Sequence, residues 1–330
     1  MKTPFEFSLR GQDWWKPFLP FWLIYVAYIV VTQIGARATR GNPSGVGAML
    51  LLTFGLMIVF TAIVSVFTII FMSILLPKFK AGDKSVEFNG EIWPFVGKVV
   101  GGLLLSLITI GVYMPWFCRN MVSYLASQTR FGGAPVVFRG KPGKLFVYGL
   151  LSFALPLVAL IVVLALLFQG MGTAHGASPL RSILIAAITF IVFTPYVYLV
   201  YRWYMDFESS GVRIRWKTGF GPSCGFILGQ ICVTAITLGI YWPAAFLRIY
   251  KYFAERTVLE SGDAELGRLY FEGKLGKGFL LLWGQCLLSI VTLGIYLPWA
   301  IAKTNGWLIG QSGYAGDGQE RAAADSGIAE

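Results

Sequence analysis

The run Ala48–Leu76 contains no charged side chain. Five further apolar runs punctuate the same 330-residue chain: Phe18–Ile34, Leu145–Phe168, Ile183–Tyr201, Phe226–Tyr241 and Phe279–Tyr296. A helix needs about 20 such residues to cross the hydrocarbon of a bilayer, and a soluble core has no use for so many long apolar runs. Charged residues make up 13% of the chain, about half the share of a soluble domain, and the mean hydropathy is +0.68. The sequence therefore predicts a polytopic membrane protein. Its first 17 residues mix Glu6, Arg10, Asp13 and Lys16 with aromatics. No small-residue cleavage site follows an apolar core, so the first membrane helix is expected to stay and act as its own insertion signal.

Three of the apolar helices end on nearly the same phrase: ITIGVYMP at Ile108–Pro115, ITLGIYWP at Ile236–Pro243 and VTLGIYLP at Val291–Pro298. Glycine near a helix end permits a left-handed cap, and proline stops one helix and opens the next. The phrase thus predicts a tight reversal at the outer face or within the membrane. A second element recurs ahead of the helices. Phe5–Gly11, Val86–Gly90, Val136–Gly140 and Leu269–Gly273 alternate with the period of a strand and stop at glycine, and Val212–Trp216 reads as a degenerate fifth copy.

The expected fold is an all-α polytopic membrane protein built of repeated strand–helix–turn–helix units, with short β segments on the cytoplasmic face. Five repeats, at 1–80, 86–130, 136–207, 212–258 and 269–310, would form a single membrane domain over 1–310. Repeats one and three carry polar outer loops (Ala36–Gly47 and Gly170–Pro179) where the other three have the tight phrase. Residues 311–330 are rich in Gly, Ala, Asp and Glu and read as a disordered cytoplasmic tail.

If every repeat is a hairpin, only Arg37, Arg40 and Arg181 of the 27 lysines and arginines fall on the outer side. The positive-inside rule favours that asymmetry and puts both termini in the cytoplasm. The net charge of +11 then concerns topology and anionic lipid. It does not suggest nucleic acid, because the basic residues cluster beside apolar segments. The hairpin reading leaves short, polar return helices: Ala244–Val258 contains Arg248, Lys251, Glu255 and Arg256. Such helices are expected to be interfacial or partly re-entrant, packed on protein.

Polar side chains form stripes on the three phrase-bearing helices. Gln230, Thr234, Thr237 and Tyr241 are spaced i, i+4, i+7, i+11, which is one helical face. Gln285, Ser289, Thr292 and Tyr296 repeat the pattern, and Ser106, Thr109 and Tyr113 repeat it without the amide. These stripes read either as helix–helix glue or as the lining of a polar cleft. Beyond each proline comes a cation: Arg119, Arg248 and Lys303, with Arg202 after Pro195. These cations read either as side chains snorkelling to headgroups or as a site for an anion such as a lipid phosphate.

None of the 16 acidic residues lies deep in an apolar run, which disfavours proton coupling. Asp206 stands near enough in sequence to pair with Arg202. The one histidine, His175, cannot build a metal cluster, and the four cysteines form no CxxC pair. No catalytic motif is visible, so the chain is expected not to be an enzyme and to need no cofactor or metal.

The TLGIYxPW phrase recurring with F-x-G segments between apolar helices resembles the YjgN-like bacterial inner-membrane proteins of uncharacterised function. The resemblance spans about residues 1–310, with Ala244 in place of the tryptophan in the second copy. It implies a multi-pass inner-membrane location and supplies no reaction or ligand. Two functions fit these residues. One is a transporter or binder of a small anionic or amphipathic, lipid-like ligand. The other is a non-transporting scaffold whose basic cytoplasmic face docks partners or anionic lipid. The hairpin topology is checked by impermeant maleimide on Lys141→Cys and Lys217→Cys variants. Both are expected to react from the cytoplasmic side only, and reaction from the periplasm overturns the topology.

Overall fold

The computed structural model describes residues 2–38, 46–168, 179–262 and 264–316. Arg40 and His175 with the loops around them, the side chain of Arg181 and residues 317–330 of the tail lie outside the described residues. Repeat one runs β1 (Lys2–Phe7), α1 (Gly11–Ala38), α2 (Val46–Leu75), β2 (Phe79–Ala81). Repeat two runs β3 (Lys84–Phe88), α3 (Ile92–Ile108), α4 (Met114–Ser127), β4 (Thr129–Phe131). Repeat three runs β5 (Ala134–Phe138), α5 (Pro142–Gly149), a π turn, α6 (Leu155–Phe168), α7 (Pro179–Tyr204), β6 (Phe207–Ser209). Repeat four runs β7 (Val212–Trp216), α8 (Phe220–Ile236), α9 (Trp242–Ala254), β8 (Thr257–Ser261). Repeat five runs β9 (Ala264–Phe271), α10 (Leu275–Val291), α11 (Leu297–Gly310), β10 (Ser312–Gly316).

This corrects the all-α expectation. Ten strands form a closed antiparallel barrel in the order β1-β10-β9-β8-β7-β6-β5-β4-β3-β2. Each repeat ends in a second strand that the sequence pattern does not reveal. The reason is length and composition: FKA, TRF and FES are three residues each, too short to display a period of two. SGYAG has no apolar alternation, and it lies inside the stretch read as tail. These closing strands are defined by their partners. Antiparallel registers such as Ala81↔Lys84, Phe131↔Ala134 and Ser209↔Val212 leave two-residue turns between repeats. Those turns carry Gly82, Gly132-Gly133 and Ser210-Gly211 at positive φ, as tight hairpins require.

The chain divides into two compact units. In the unit of Lys2–Val137 and Leu280–Gly313, α1 packs on α2 and α11, α2 on α3, and α3 on α4. Its cores are Ile69, Phe88, Phe95, Val99 and Phe117, and Leu9, Trp14, Phe18 and Ala302. Helices α3 and α4 approach closely because Gly102 has no side chain: a Cβ there would stand 2.1 Å from the Phe117 ring. The F-x-G motif has a similar origin. The Phe88 ring folds back over Gly90, where a Cβ would meet it at 2.4 Å.

In the unit spanning Phe138–Phe279, α7 packs on α8 and α8 on α9 around Tyr198, Cys224 and Ile227. Tyr198 shares a 2.7 Å hydrogen bond with the Thr218 hydroxyl, and the Trp203 indole N–H donates to the Lys141 carbonyl at 2.9 Å. The copy read as degenerate has the same design, since buried Trp216 ends β7 and stacks on Phe253 at 4.2 Å. A buried aromatic therefore ends the strand there too.

Three described helices are long and apolar enough to cross a membrane: Gly11–Arg37, Gly47–Lys78 and Pro142–Val163. The lead helices of repeats two, four and five have 17 residues each. Gly102→Ala is expected to destabilise the α3–α4 hairpin by about 1–3 kcal/mol through overpacking. Thermal unfolding in detergent checks this, and adding Phe117→Leu is expected to recover part of the loss.

Candidate functional site

The repeated phrase folds the same way three times. After α3 the Gly111 N–H donates to the Ser106 carbonyl at 2.6 Å and the Ile110 N–H to the Leu107 carbonyl at 3.1 Å. This pair of bonds is the Schellman closure of a helix end. Gly239 to Thr234 (2.8 Å) and Gly294 to Ser289 (2.7 Å) repeat it. The left-handed cap falls one residue before the glycine expected to carry it, on Ile110 (φ 50°), Leu238 (φ 50°) and Leu293 (φ 51°). A non-glycine residue pays about 1–2 kcal/mol for that conformation. The following glycines continue it at φ 84°, 86° and 90°.

The stripe hydroxyls serve this turn. Ser106, Thr234 and Ser289 donate to the carbonyls four residues back, Gly102, Gln230 and Gln285. Thr109, Thr237 and Thr292 do likewise to Leu105, Val233 and Leu288. Each of those threonine oxygens also accepts the backbone N–H of its tyrosine, at 3.0, 3.1 and 3.2 Å. The structure thus directs these hydroxyls to their own helix backbone. The amides differ: the Tyr241 hydroxyl donates to the Gln230 side-chain oxygen at 3.0 Å, whereas the buried Gln285 oxygen has no partner.

What the structure brings together is each tyrosine and the residue seven positions later, two helical turns on. The Arg248 guanidinium lies over the Tyr241 ring, 5.6 Å from its centroid. Lys303 lies 5.7 Å from the Tyr296 centroid and donates to its hydroxyl at 3.0 Å. In the first copy the equivalent residue is Asn120, which donates to the Tyr113 hydroxyl at 3.3 Å. Arg119 is one residue out of step with that offset and does not face Tyr113. An offset counted from tyrosine, instead of proline, finds Asn120. Arg119 and Arg202 are exposed, and Asp206 pairs with Arg213 (2.6 Å), not with Arg202.

A second group of charges has no motif and was missed. On the strands, Arg139 pairs with Glu208, Arg213 with Asp206, Arg215 and Lys217 with Glu260, and Lys217 and Arg268 with Glu265. Arg139–Glu208, Arg215–Glu260 and Lys217–Glu265 are far apart in sequence and become neighbours only through the fold, with β7 and β8 paired in register as Arg215↔Val258 and Arg213↔Glu260. The hydrogen bond from Arg268, then that from Lys217, holds the Glu265 carboxyl down at about 2. The hydrogen bond from Arg139 lowers Glu208 below the ordinary carboxylate range. Each of the five cations in this cluster pairs with one of four carboxylates, so the pairs tie the strands and their ends together. Among the described residues no group of three His, Cys, Asp or Glu side chains is placed to hold a metal ion.

The model of the family described as "Bacterial protein of unknown function (DUF898)" matches residues 85–265, more than half of the chain. The chain belongs to this family. The YjgN resemblance read from the repeated phrase agrees with that match. No curated protein and no solved structure matches the chain. The matched span contains the first two copies of the phrase, with Tyr113 and Asn120 and with Tyr241 and Arg248, together with the strand charges from Arg139 to Glu265.

Glu265 gives a pH dependence. Its folded pKa of about 2 lies below the ordinary 4.5, so the unfolded chain takes up the proton more readily. The contribution is therefore complete above pH 4.5 and is lost as pH falls towards about 2. Thermal unfolding in detergent is expected to weaken across that window, and Glu265→Gln is expected to flatten the dependence.

Proposed function

We propose that this is an integral protein of the bacterial inner membrane that binds an anionic, amphipathic ligand of the phospholipid class. Its binding groups are the tyrosine–cation pairs of the return helices. The observation that carries this reading is the state of Arg248 and Lys303. Both side chains are exposed, each rests on its own tyrosine, and neither pairs with a carboxylate among the described residues. The cations of the cluster around β6–β9, by contrast, each pair with an acid. An unpaired cation held over an aromatic ring is pre-positioned for a phosphate oxygen, with the tyrosine face beside it for the apolar part of the ligand.

Two further features support binding over transport. The stripe hydroxyls are occupied by their own helices, which removes them as the lining of a polar path. No carboxylate stands among them to couple movement to protons. The membrane orientation that suits this reading keeps the strands and both termini on the cytoplasmic side, where the inner leaflet supplies anionic headgroups.

The test is titration of the detergent-solubilised protein with fluorescent phosphatidylglycerol. A basic side chain near an anionic surface is worth about 1 kcal/mol, roughly fivefold in affinity. Arg248→Gln with Lys303→Gln is expected to weaken binding by roughly 25-fold on that figure, while Arg248→Lys keeps most of it. Parent-like affinity in a double variant that unfolds at the parent temperature would overturn the proposal in favour of a docking scaffold.

A further inference from the structure

The tips of the three phrase-bearing hairpins present aliphatic side chains to their surroundings. Ile110 is 93% exposed, Leu238 92% and Leu293 79%. These are the residues held in the left-handed conformation, which an isoleucine or leucine adopts only under strain. In water such a tip would combine backbone strain with apolar exposure. In hydrocarbon the same side chains are buried favourably.

Hydrocarbon imposes a second condition, that backbone donors be satisfied internally. In the first copy every N–H from Thr109 to Phe117 has an acceptor within the turn, and Pro115 has none to satisfy. The third copy does the same from Thr292 to Ala300, with Pro298 in that place. There the exposed tip carbonyl, that of Leu293, also accepts the Trp22 indole N–H at 3.1 Å.

That bond fixes a depth. Trp22 is six residues past Lys16 on α1, about 9 Å at 1.5 Å per residue. Another 16 residues of α1, Leu23–Ala38, continue beyond it, about 24 Å, with Leu23, Val30 and Ile34 exposed and apolar. A bilayer core is about 30 Å thick. If α1 spans it, the α10–α11 tip stops well short of the far side. Lys303 lies seven residues after Tyr296, about 10 Å back along α11, near the level at which Lys16 marks the interface.

We infer that the three short hairpins are re-entrant: each of the tips Ile110, Leu238 and Leu293 ends within the acyl chains of the leaflet that its own hairpin enters. The occupant of these apolar tips is lipid hydrocarbon. The return-helix cations complement the anionic headgroups of that leaflet.

The test places single cysteines at 110, 238 and 293 in a chain whose Cys118, Cys224, Cys232 and Cys286 are replaced by alanine. The protein is reconstituted in phosphatidylcholine–phosphatidylglycerol vesicles and spin-labelled. Labels at the tips are expected to collide with oxygen and to be shielded from aqueous nickel, while a Lys303→Cys label is nickel-accessible. Impermeant maleimide is expected to miss the tips from either side. Nickel access at the tips, or maleimide reaction from the far side, overturns the inference. Shielding from both oxygen and nickel also overturns it, because it means that protein covers the tips. A second measurement leaves the native cysteines in place: benzoylphenylalanine at each tip is expected to crosslink to lipid acyl chains, and a protein adduct counts against the inference. Phospholipid affinity lost in the Arg248/Lys303 variant with tips still deep, or the reverse, separates this inference from the binding proposal.

Discussion

Antiparallel pairing between the closing strand of one repeat and the opening strand of the next is the constraint on which the rest of the architecture depends. A two-residue turn such as Gly132-Gly133 leaves no freedom over where the next helix pair begins. Each pair of helices departs from the end of one strand and must return to the start of another. The helical hairpins are thus a consequence of strand pairing as much as of their own loops. The buried aromatics at the strand ends, Phe88, Phe138, Trp216 and Phe271, set the chain direction as it leaves the sheet. In three of these cases glycine two residues later gives the ring its space.

Within that frame the hairpins fall into two lengths. Repeats one and three contain the helices able to cross a membrane, whereas the lead helices of the others have 17 residues. The short ones are closed by a turn in which serine, threonine and tyrosine satisfy one another and the backbone. Read as a line of hydroxyls, these residues suggest a polar cleft. Their geometry shows capping, because a serine or threonine in a helix reaches the carbonyl four residues back before it reaches a neighbour. The same bonds let a strained isoleucine or leucine stand at the tip.

Charge is divided between two roles. Around β6–β9, arginine and lysine pair with acids, and Glu265 is drawn to a low pKa by its two cationic neighbours. On the return helices, Arg248 and Lys303 have aromatic rings as partners in place of acids. The excess of positive charge that gives the chain its +11 is therefore not spread evenly over its chemistry. Cations without acid partners are the ones free to meet an anion from outside.

Sequence alone determined the helices, the glycine-ended opening strands and the threefold reversal, because each has a local physical signature. Apolar length marks a helix, alternation marks a strand, and glycine with proline marks a turn. It also singled out Arg248 and Lys303 by their recurrence. It did not determine the barrel, since closing strands such as Phe79–Ala81 and Phe207–Ser209 are too short to carry a period and exist only through their partners. It could not tell that Asn120, and not Arg119, faces Tyr113, because facing depends on the helical phase set by the turn. The pairing of Asp206 with Arg213, and the direction of the stripe hydroxyls, were likewise decided by tertiary structure: which acceptor lies nearest is a property of packed neighbours, not of spacing along the chain.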